Sequence, residues 1–213
     1  MKRILFQGDS ITDCGRDRNW LEDLGRGYPG LVAGHLGLKY PNQYAFINRG
    51  IGGNRIVDLY ARIKADFINL QPDYASIYMG VNDTWHEISF NNGVDTAKFE
   101  TIYTMLIDEV LLACPNIKLI LIAPFVLEGS GTCNTEEQPT RFDYFKKDVA
   151  DKAAVVKKLA EKYGFELIEL QPAFDEACKK APANYWTADG VHPTMSGQEI
   201  IKQLWLEAFE KIK

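Results

Sequence analysis

Apolar positions along the chain fall into two patterns, short continuous runs and longer stretches with helical spacing. The short runs predict strands over residues 3–8, 44–48, 73–79, 117–123 and 165–170. The longer stretches predict helices over residues 28–36, 57–70, 96–113, 141–163 and 195–211. Strands and helices therefore alternate along most of the chain.

This alternation predicts an α/β fold of three layers, α/β/α, with helices on both faces of a parallel sheet. Right-handed crossovers between five strands favour the flavodoxin-like strand order 2-1-3-4-5. We expect one domain over residues 1–213, since no linker, repeat or low-complexity tract interrupts the pattern. Two long connections, residues 12–27 and 124–140, begin where strands end and should lie at the ligand-binding edge of the sheet.

The composition mainly excludes classes of protein and partner. A hydrophobic fraction of 46% and a charged fraction of 25% are ordinary for a globular protein. The net charge of −5 disfavours a nucleic-acid partner. No apolar stretch approaches the roughly 20 residues that cross a bilayer, and the first apolar run is too short for a signal peptide. We expect a cytoplasmic protein with no membrane partner, and the sequence is compatible with a homo-oligomer.

The four cysteines are far apart and form no C-x-x-C pair, so we expect reduced thiols and neither a disulfide framework nor a zinc site. The chain also lacks H-E-x-x-H, G-x-G-x-x-G and the P-loop lysine. We therefore expect no metal and no cofactor.

The first candidate for chemistry is Ser10, which directly follows the first predicted strand. A serine hydroxyl is a weak nucleophile that needs a neighbouring base, and the base needs a group that fixes its tautomer. Near the other end of the chain, Asp189 precedes His192 by three residues in a loop broken by glycine and proline. Ser10, His192 and Asp189 are thus candidates for nucleophile, base and orienting carboxylate.

Two further segments follow predicted strands and could supply hydrogen-bond donors to an oxyanion. The turn of residues 50–53 is rich in glycine, so a backbone N–H there can approach a substrate closely. Asn82 follows the third strand and offers a side-chain amide. Asp9 and Asp83, beside these groups, are interpreted as acceptors that brace turns through backbone N–H groups.

Each of these residues has a plainer interpretation when taken alone. Asp-Ser is commonly a turn or helix cap, and Asp-x-x-His is commonly a capped loop. Of the other two histidines, His35 fits a structural or surface position on a helix, and His86 could line a pocket or lie exposed in a loop. Ser10 also lacks the G-x-S-x-G elbow, which argues against the α/β-hydrolase fold in the strict sense.

Taken in order, Gly8-Asp9-Ser10, Gly53, Asn82 and Asp189 with His192 resemble the four sequence blocks of the GDSL or SGNH hydrolases. The resemblance extends from about residue 3 to about residue 209. It implies a serine esterase whose oxyanion hole comprises the N–H groups of Ser10 and Gly53 and the amide of Asn82. The stretches 8–16, 48–54 and 80–85 are similar to the branch of bacterial intracellular esterases that deacetylate xylo-oligosaccharides.

For the substrate we expect a small acyl group, acetyl by preference, on a carbohydrate alcohol. Arg55, Trp85 and Trp186 are the candidate substrate-binding residues, although the tryptophans could equally pack loops and Arg55 could simply begin a helix. The alternatives are a short-chain esterase, thioesterase or lysophospholipase of the same family and, from another class, a non-catalytic carbohydrate-binding protein.

Overall fold

The computed structural model describes all 213 residues. Its strands pair in parallel in one sheet of order β2-β1-β3-β4-β5, which confirms the predicted fold and strand order. They are β1 (Lys2–Gly8), β2 (Tyr44–Asn48), β3 (Tyr74–Tyr78), β4 (Lys118–Ala123) and β5 (Glu166–Glu169).

Ten α-helices accompany the sheet, and four of them are single turns or little more. They are α1 (Ser10–Asp13), α2 (Tyr28–Lys39), α3 (Ile56–Ala61), α4 (Ile63–Asp66), α5 (Val81–Phe90), α6 (Thr96–Ala113), α7 (Arg141–Tyr163), α8 (Leu170–Cys178), α9 (Ala183–Trp186) and α10 (Met195–Ile212). No helix is both long and apolar enough to span a bilayer.

The sheet divides the interior into two apolar clusters, because successive strand residues point to opposite faces. Ile120 and Ile122 of β4 contribute to one cluster, which α2, α8 and α10 cover. Leu119 and Leu121 contribute to the other, which α3, α6 and the second half of α7 cover. The three interior strands, β1, β3 and β4, are buried along most of their length, which explains why they form continuous apolar runs in the sequence.

The strand register brings three chain segments to the same edge of the sheet. Phe6 pairs with Asn48, and Gly8 pairs with Tyr78. The chain therefore leaves β1, β2 and β3 at similar heights, immediately before Ser10, the 50–53 turn and Asn82. This edge is where open α/β sheets bind ligands.

The helix predicted over residues 57–70 is wrong as a single element. The structure has α3, α4 and a 3₁₀ turn at Ile68–Leu70, with breaks at Arg62 and Phe67. At the first break, the Arg62 guanidinium binds Asn54 Oδ1 and the Arg49 carbonyl at 2.7 and 2.8 Å. Apolar periodicity cannot register such contacts with a distant loop, which here accompany the interruption of a favourable helical pattern.

Two substantial helices, α5 and α8, were absent from the sequence prediction. α5 is short and polar, and it follows Gly80, whose φ of 134° suits a sharp exit from β3. α8 contains Pro172, which suggests a loop in the sequence but lies in the first turn, where a missing N–H breaks no helical hydrogen bond. Strand β5 is correspondingly shorter than predicted.

Both long connections lie against the carboxyl edge of the sheet, as predicted. Residues 12–27 contact the 50–53 turn through the Arg16 guanidinium, which donates to the Gly50 carbonyl at 3.1 Å. Residues 124–140 contact the loop before α10, where the Leu127 N–H donates to the Gly190 carbonyl at 2.8 Å. All four cysteines are free thiols.

The packing of α10 on β1 gives a stability prediction. Trp205 is fully buried and packs on Phe209 and Phe6, with ring centroids 5.1 and 5.3 Å away. Trp205→Ala should lower the free energy of unfolding by about 3–5 kcal/mol, because it leaves a large cavity. Leu112→Ala on α6, a side chain that is 86% exposed, is the control and should change it by about 0.5 kcal/mol or less. Equal effects in denaturant titrations would contradict this account of the core.

Candidate active site

Ser10 is the first residue of α1, directly after the end of β1. Asp9 caps this one-turn helix by accepting the Ile11 N–H at 3.0 Å, and Cys14 ends it in the left-handed region with φ of 40°. The chain turns so sharply here that the serine side chain stands at the edge of the sheet. The Ser10 N–H, as the first of a helix, has no partner within that helix.

Asp189 and His192 lie in a tight loop before α10. A bridge between Thr187 and Pro193 closes the loop, and the Ala188 N–H donates to the His192 carbonyl at 2.8 Å. Gly190 has a φ of 99°, which favours glycine. The loop therefore holds the aspartate and histidine side chains on the same side.

Three side chains form a hydrogen-bonded series at this edge. Ser10 Oγ lies 2.9 Å from His192 Nε2, and His192 Nδ1 lies 2.7 Å from Asp189 Oδ2. Asp189 Oδ1 accepts the N–H groups of Val191 and His192 at 3.0 and 2.9 Å. Because an ionised carboxylate only accepts, the proton of neutral His192 belongs on Nδ1, which leaves Nε2 free to accept the serine proton.

The electrostatics agree with that tautomer. Burial opposes ionisation of Asp189, but hydrogen bonds from the His192 ring and two backbone N–H groups outweigh it and lower the pKa of Asp189 to about 2. The hydrogen bond to Asp189 raises the pKa of His192 above its ordinary value, and the nearby Asp9 adds to this. The imidazolium form of His192 is thus stabilised, as a base that accepts the serine proton requires.

The glycine turn offers one free backbone donor near Ser10. The Gly52 N–H is bound to Asp13 Oδ2 at 3.0 Å, whereas the Gly53 N–H has no hydrogen-bond partner in the protein. Gly53 adopts a φ of 82°, in the left-handed region. A methyl group placed on Gly52 would lie 3.7 Å from Ser10 Cβ, so the turn is adjacent to the serine.

Asn82 lies in the first turn of α5, and its amide nitrogen donates to the Asn54 carbonyl at 3.2 Å. An amide has two N–H bonds, so one remains available. The fully buried Asp83 accepts the Ile56 N–H at 3.0 Å. The first turn of α5 therefore holds the residues after Gly53 at two points.

The buried carboxyls behave as the predicted braces. Asp9 and Asp83 each accept a backbone N–H, which confirms that interpretation. Burial raises the pKa of Asp9 to about 6 and that of Asp83 to about 8, against the opposing effect of those hydrogen bonds. Both shifts show that burial outweighs the stabilisation that the backbone N–H groups give to the ionised carboxyls.

The 124–140 connection fixes the aspartate loop from outside. The Gly131 N–H donates to the Asp189 carbonyl at 2.9 Å. A Cβ at Gly129 would lie 2.4 Å from the carbonyl carbon of Asp189, so only glycine fits there. Gly129 is therefore needed for the placement of Asp189.

Of the three predicted substrate-binding residues, Trp85 is the one next to the triad. Its ring lies 6.4 Å from the His192 ring and 5.4 Å from Phe145, with the Arg141 guanidinium 5.8 Å away on its face. Trp186 packs edge-on against Tyr185 and donates its indole N–H to the Ala181 carbonyl at 3.1 Å.

Arg55 is the N-terminal capping residue of α3, as expected if it simply begins a helix and does not bind substrate. Its guanidinium binds Asp58 at 2.9 and 3.0 Å and the Asn92 carbonyl at 2.7 Å. Most of its donors are therefore used within the protein. Substrate binding by Arg55, Trp85 and Trp186 stays a prediction.

The other histidines lie apart from this series. His35 is exposed on α2. His86 is half-buried on α5 against Phe90, and burial together with the Arg55 charge lowers its pKa. A cleft of about 470 Å³ lies between α5 and α7 and is lined by residues that include Asp83 and Asp148. Because Ser10, His192 and Asp189 do not line it, this cleft is not the candidate active site.

Two contributing residues escaped the sequence analysis. Gln198 of α10 is buried, accepts the Tyr28 N–H at 2.9 Å and donates to the Ile11 carbonyl at 3.3 Å, which ties α10 to the segment after Ser10. Arg18 binds Asp13 beside the glycine turn. Gln198 has no local sequence signal because its partners are distant in the chain, and Arg18 belongs to no motif although its partner Asp13 is only five residues away.

A parallel sheet that carries this serine, histidine and aspartate at its carboxyl edge places the chain among the hydrolases of the three-layer α/β/α class. The sequence profile of the GDSL-like lipase/acylhydrolase family matches residues 6–200. The chain belongs to this family and is a carboxylic ester hydrolase.

Similar proteins fit the same assignment. The acetylxylan esterase of Geobacillus stearothermophilus is 34% identical, over 96% of this chain and 92% of that protein. Its crystal structure has a TM-score of 0.83 at 33% identity, with 97% of this chain and 93% of that one covered. A structure from Parabacteroides merdae, named for its likeness to GDSL lipases, has a TM-score of 0.86 at 36% identity, with 98% and 95% covered.

The raised pKa of His192 gives a pH prediction. Since only neutral imidazole accepts the serine proton, kcat/KM should fall as pH decreases through this pKa, with a midpoint above 6.5. Asp189→Asn removes the charge that raises the pKa, so the midpoint should move to lower pH. The plateau should also fall by about 10³–10⁴-fold, because the tautomer is no longer fixed. Initial rates between pH 4 and 9 measure both; an unmoved midpoint in a folded variant would contradict this assignment.

Proposed function

We propose that this enzyme removes acetyl groups from carbohydrate esters such as acetylated xylo-oligosaccharides, with Ser10 as nucleophile. The observation that carries the proposal is the series from Ser10 Oγ through His192 to Asp189, with contacts of 2.9 and 2.7 Å. Such a series is the arrangement that makes a serine hydroxyl reactive.

In the proposed first half-reaction, Ser10 Oγ attacks the ester carbonyl carbon while its proton passes to His192 Nε2. The tetrahedral intermediate collapses as His192 returns that proton to the departing alcohol, which leaves an acetyl-serine. Asp189 stabilises the imidazolium in between without itself taking the proton.

In the second half-reaction, His192 removes a proton from water, which attacks the acetyl-serine and releases acetate. Water can reach the base, since the His192 side chain is 44% exposed. Ser10 recovers its proton from His192, and the cycle closes with no cofactor.

The oxyanion of both intermediates would be bound by the N–H groups of Ser10 and Gly53 and by the Asn82 amide. The free N–H of Gly53 supports this, as does the commitment of the Gly52 N–H to Asp13. The contacts of Asn82 and Asp83 with residues 54 and 56 hold these donors in place before a substrate arrives, and such preorganisation is the main source of their effect.

The carbohydrate part of the proposal draws support from the acetylxylan esterase, which resembles this chain over nearly its full length. Trp85, beside His192, offers a ring that could pack on a sugar face. We also propose a cytoplasmic location, which the four free thiols support.

The test of substrate class compares acetylated xylo-oligosaccharides with acyl-CoA and lysolipid, and p-nitrophenyl acetate with the octanoate. The acetylated saccharide and p-nitrophenyl acetate should be preferred.

Ser10→Ala tests the nucleophile and should lower the turnover of both acetyl esters by about 10⁴-fold or more, since it removes the covalent step. Ser89→Ala, an exposed serine on α5, is the control and should act as the wild type. Near-normal turnover by folded Ser10→Ala would overturn the mechanism, and a preference for lysolipid would overturn the substrate class.

Asn82→Ala tests the oxyanion assignment separately. Loss of one donor should lower kcat by about 10²–10³-fold with little change in KM, because the hydrogen bond strengthens mainly in the transition state. Asn184→Ala, an exposed asparagine on α9, is the matched control. If Asn82→Ala instead raised KM at unchanged kcat, Asn82 would bind substrate and would not stabilise the oxyanion.

A further inference from the structure

We propose that Arg18 forms an anion subsite beside Ser10 that favours acetyl esters whose alcohol part carries a carboxylate, such as acetylated saccharides with a uronic acid residue. This rests on the proposed function of Ser10. It concerns a residue on the 12–27 connection that takes no part in the reaction described above.

The position of Arg18 follows from its contacts around the glycine turn. Its guanidinium binds Asp13 Oδ2, the same oxygen that accepts the Gly52 N–H at 3.0 Å. A Cβ built on Gly52 would lie 3.8 Å from Arg18 Nη2 and 3.7 Å from Ser10 Cβ. Arg18 is thus separated from Ser10 by no more than two van der Waals contacts, across an exposed glycine that carries no side chain.

Arg18 differs from the neighbouring arginines in having free donors. The side chains of Arg16 and Arg62 are only 4% and 14% exposed, and both donate to backbone carbonyls of the surrounding loops. The Arg18 side chain is 51% exposed, and its single protein partner is Asp13. Most of its five N–H groups therefore face the solvent beside the serine.

The charged groups around the glycine turn are mostly paired. Asp13 pairs with Arg16 and Arg18, Asp66 pairs with Arg62, and Asp23 of the same connection lies near Arg16 and Arg26. Arg18 is the half-exposed cation of this group, and most of its donors remain free for an anion.

The geometry of the reaction assigns the carboxylate to the alcohol part. An acetyl group has no polar atom beyond its carbonyl, which the proposed oxyanion donors occupy. A group that reaches Arg18 must therefore belong to the alcohol. Guanidinium binds carboxylate through parallel N–H bonds, which gives a stronger and more directional contact than a single hydroxyl makes.

The test uses matched pairs of esters that differ in charge at one group. 3- and 4-acetoxybenzoate are compared with their methyl esters, and acetylated xylo-oligosaccharides with a uronic acid residue are compared with those without one. Release of acetate gives kcat/KM for each, and the measured quantity is the ratio of the acidic to the neutral member. Arg18→Gln should lower this ratio about five- to tenfold, as expected for a half-exposed charged contact.

Two further variants show whether the effect is specific. Arg26→Gln removes the same charge from an exposed position on the same connection and should leave the ratio unchanged. Arg18→Lys keeps the charge but loses the planar pair of donors, so it should retain part of the ratio. Added salt should lower the ratio of the wild type more than that of Arg18→Gln.

The outcomes separate this inference from the proposed function. Activity of Arg18→Gln on the neutral esters shows that the variant is folded. If the wild type hydrolyses the neutral acetyl esters but Arg18→Gln leaves the ratio unchanged, or Arg26→Gln lowers it equally, the subsite is refuted and the esterase function stands. If the wild type releases acetate from none of the esters, the proposed function itself fails.

Discussion

The hydrogen bond between Ser10 and His192 joins residues 182 positions apart, and the candidate site exists only while the two ends of the chain are held together. Neither residue is positioned by its partner. Ser10 is fixed by β1, an interior strand of the sheet between β2 and β3, and His192 by the loop that precedes α10. The packing of α10 on β1 and the contacts of Gln198 with α2 and the segment after Ser10 maintain their distance.

This dependence explains why so many polar groups are buried near the site. Asp9, Asp13 and Asp83 each bind a backbone N–H at a point where the chain leaves a strand or enters a turn. Burying a carboxyl is costly, and the raised pKa of Asp9 and of Asp83 records that cost. In return, the donors that face the substrate are held in place before it binds, as electrostatic stabilisation of a transition state requires.

The two long connections each hold a different loop of the candidate site in place. Residues 124–140 fix the aspartate loop through Gly129 and Gly131, and so act on the base. Residues 12–27 fix the glycine turn through Asp13 and Arg16, and so act on the proposed oxyanion donors. The Arg18 side chain projects from the 12–27 connection into solvent, on the side where we propose that the alcohol part of the substrate lies. The 124–140 connection thus supports the base, whereas the 12–27 connection both supports the proposed oxyanion donors and carries Arg18.

The sequence alone was sufficient for the fold class, the strand order and the positions of Ser10, Asn82, Asp189 and His192 at the ends of strands or in loops. Those features depend on local periodicity and on the fixed handedness of parallel crossovers, which short stretches of sequence record. The break at Arg62 and the helices α5 and α8 depended on contacts between distant segments. For the same reason Arg55, adjacent to the glycine turn in sequence, proved to be bound within the protein, whereas Arg18, on a different connection from that turn, lies half-exposed beside it. Only the tertiary structure decides which donors are used internally and which remain free.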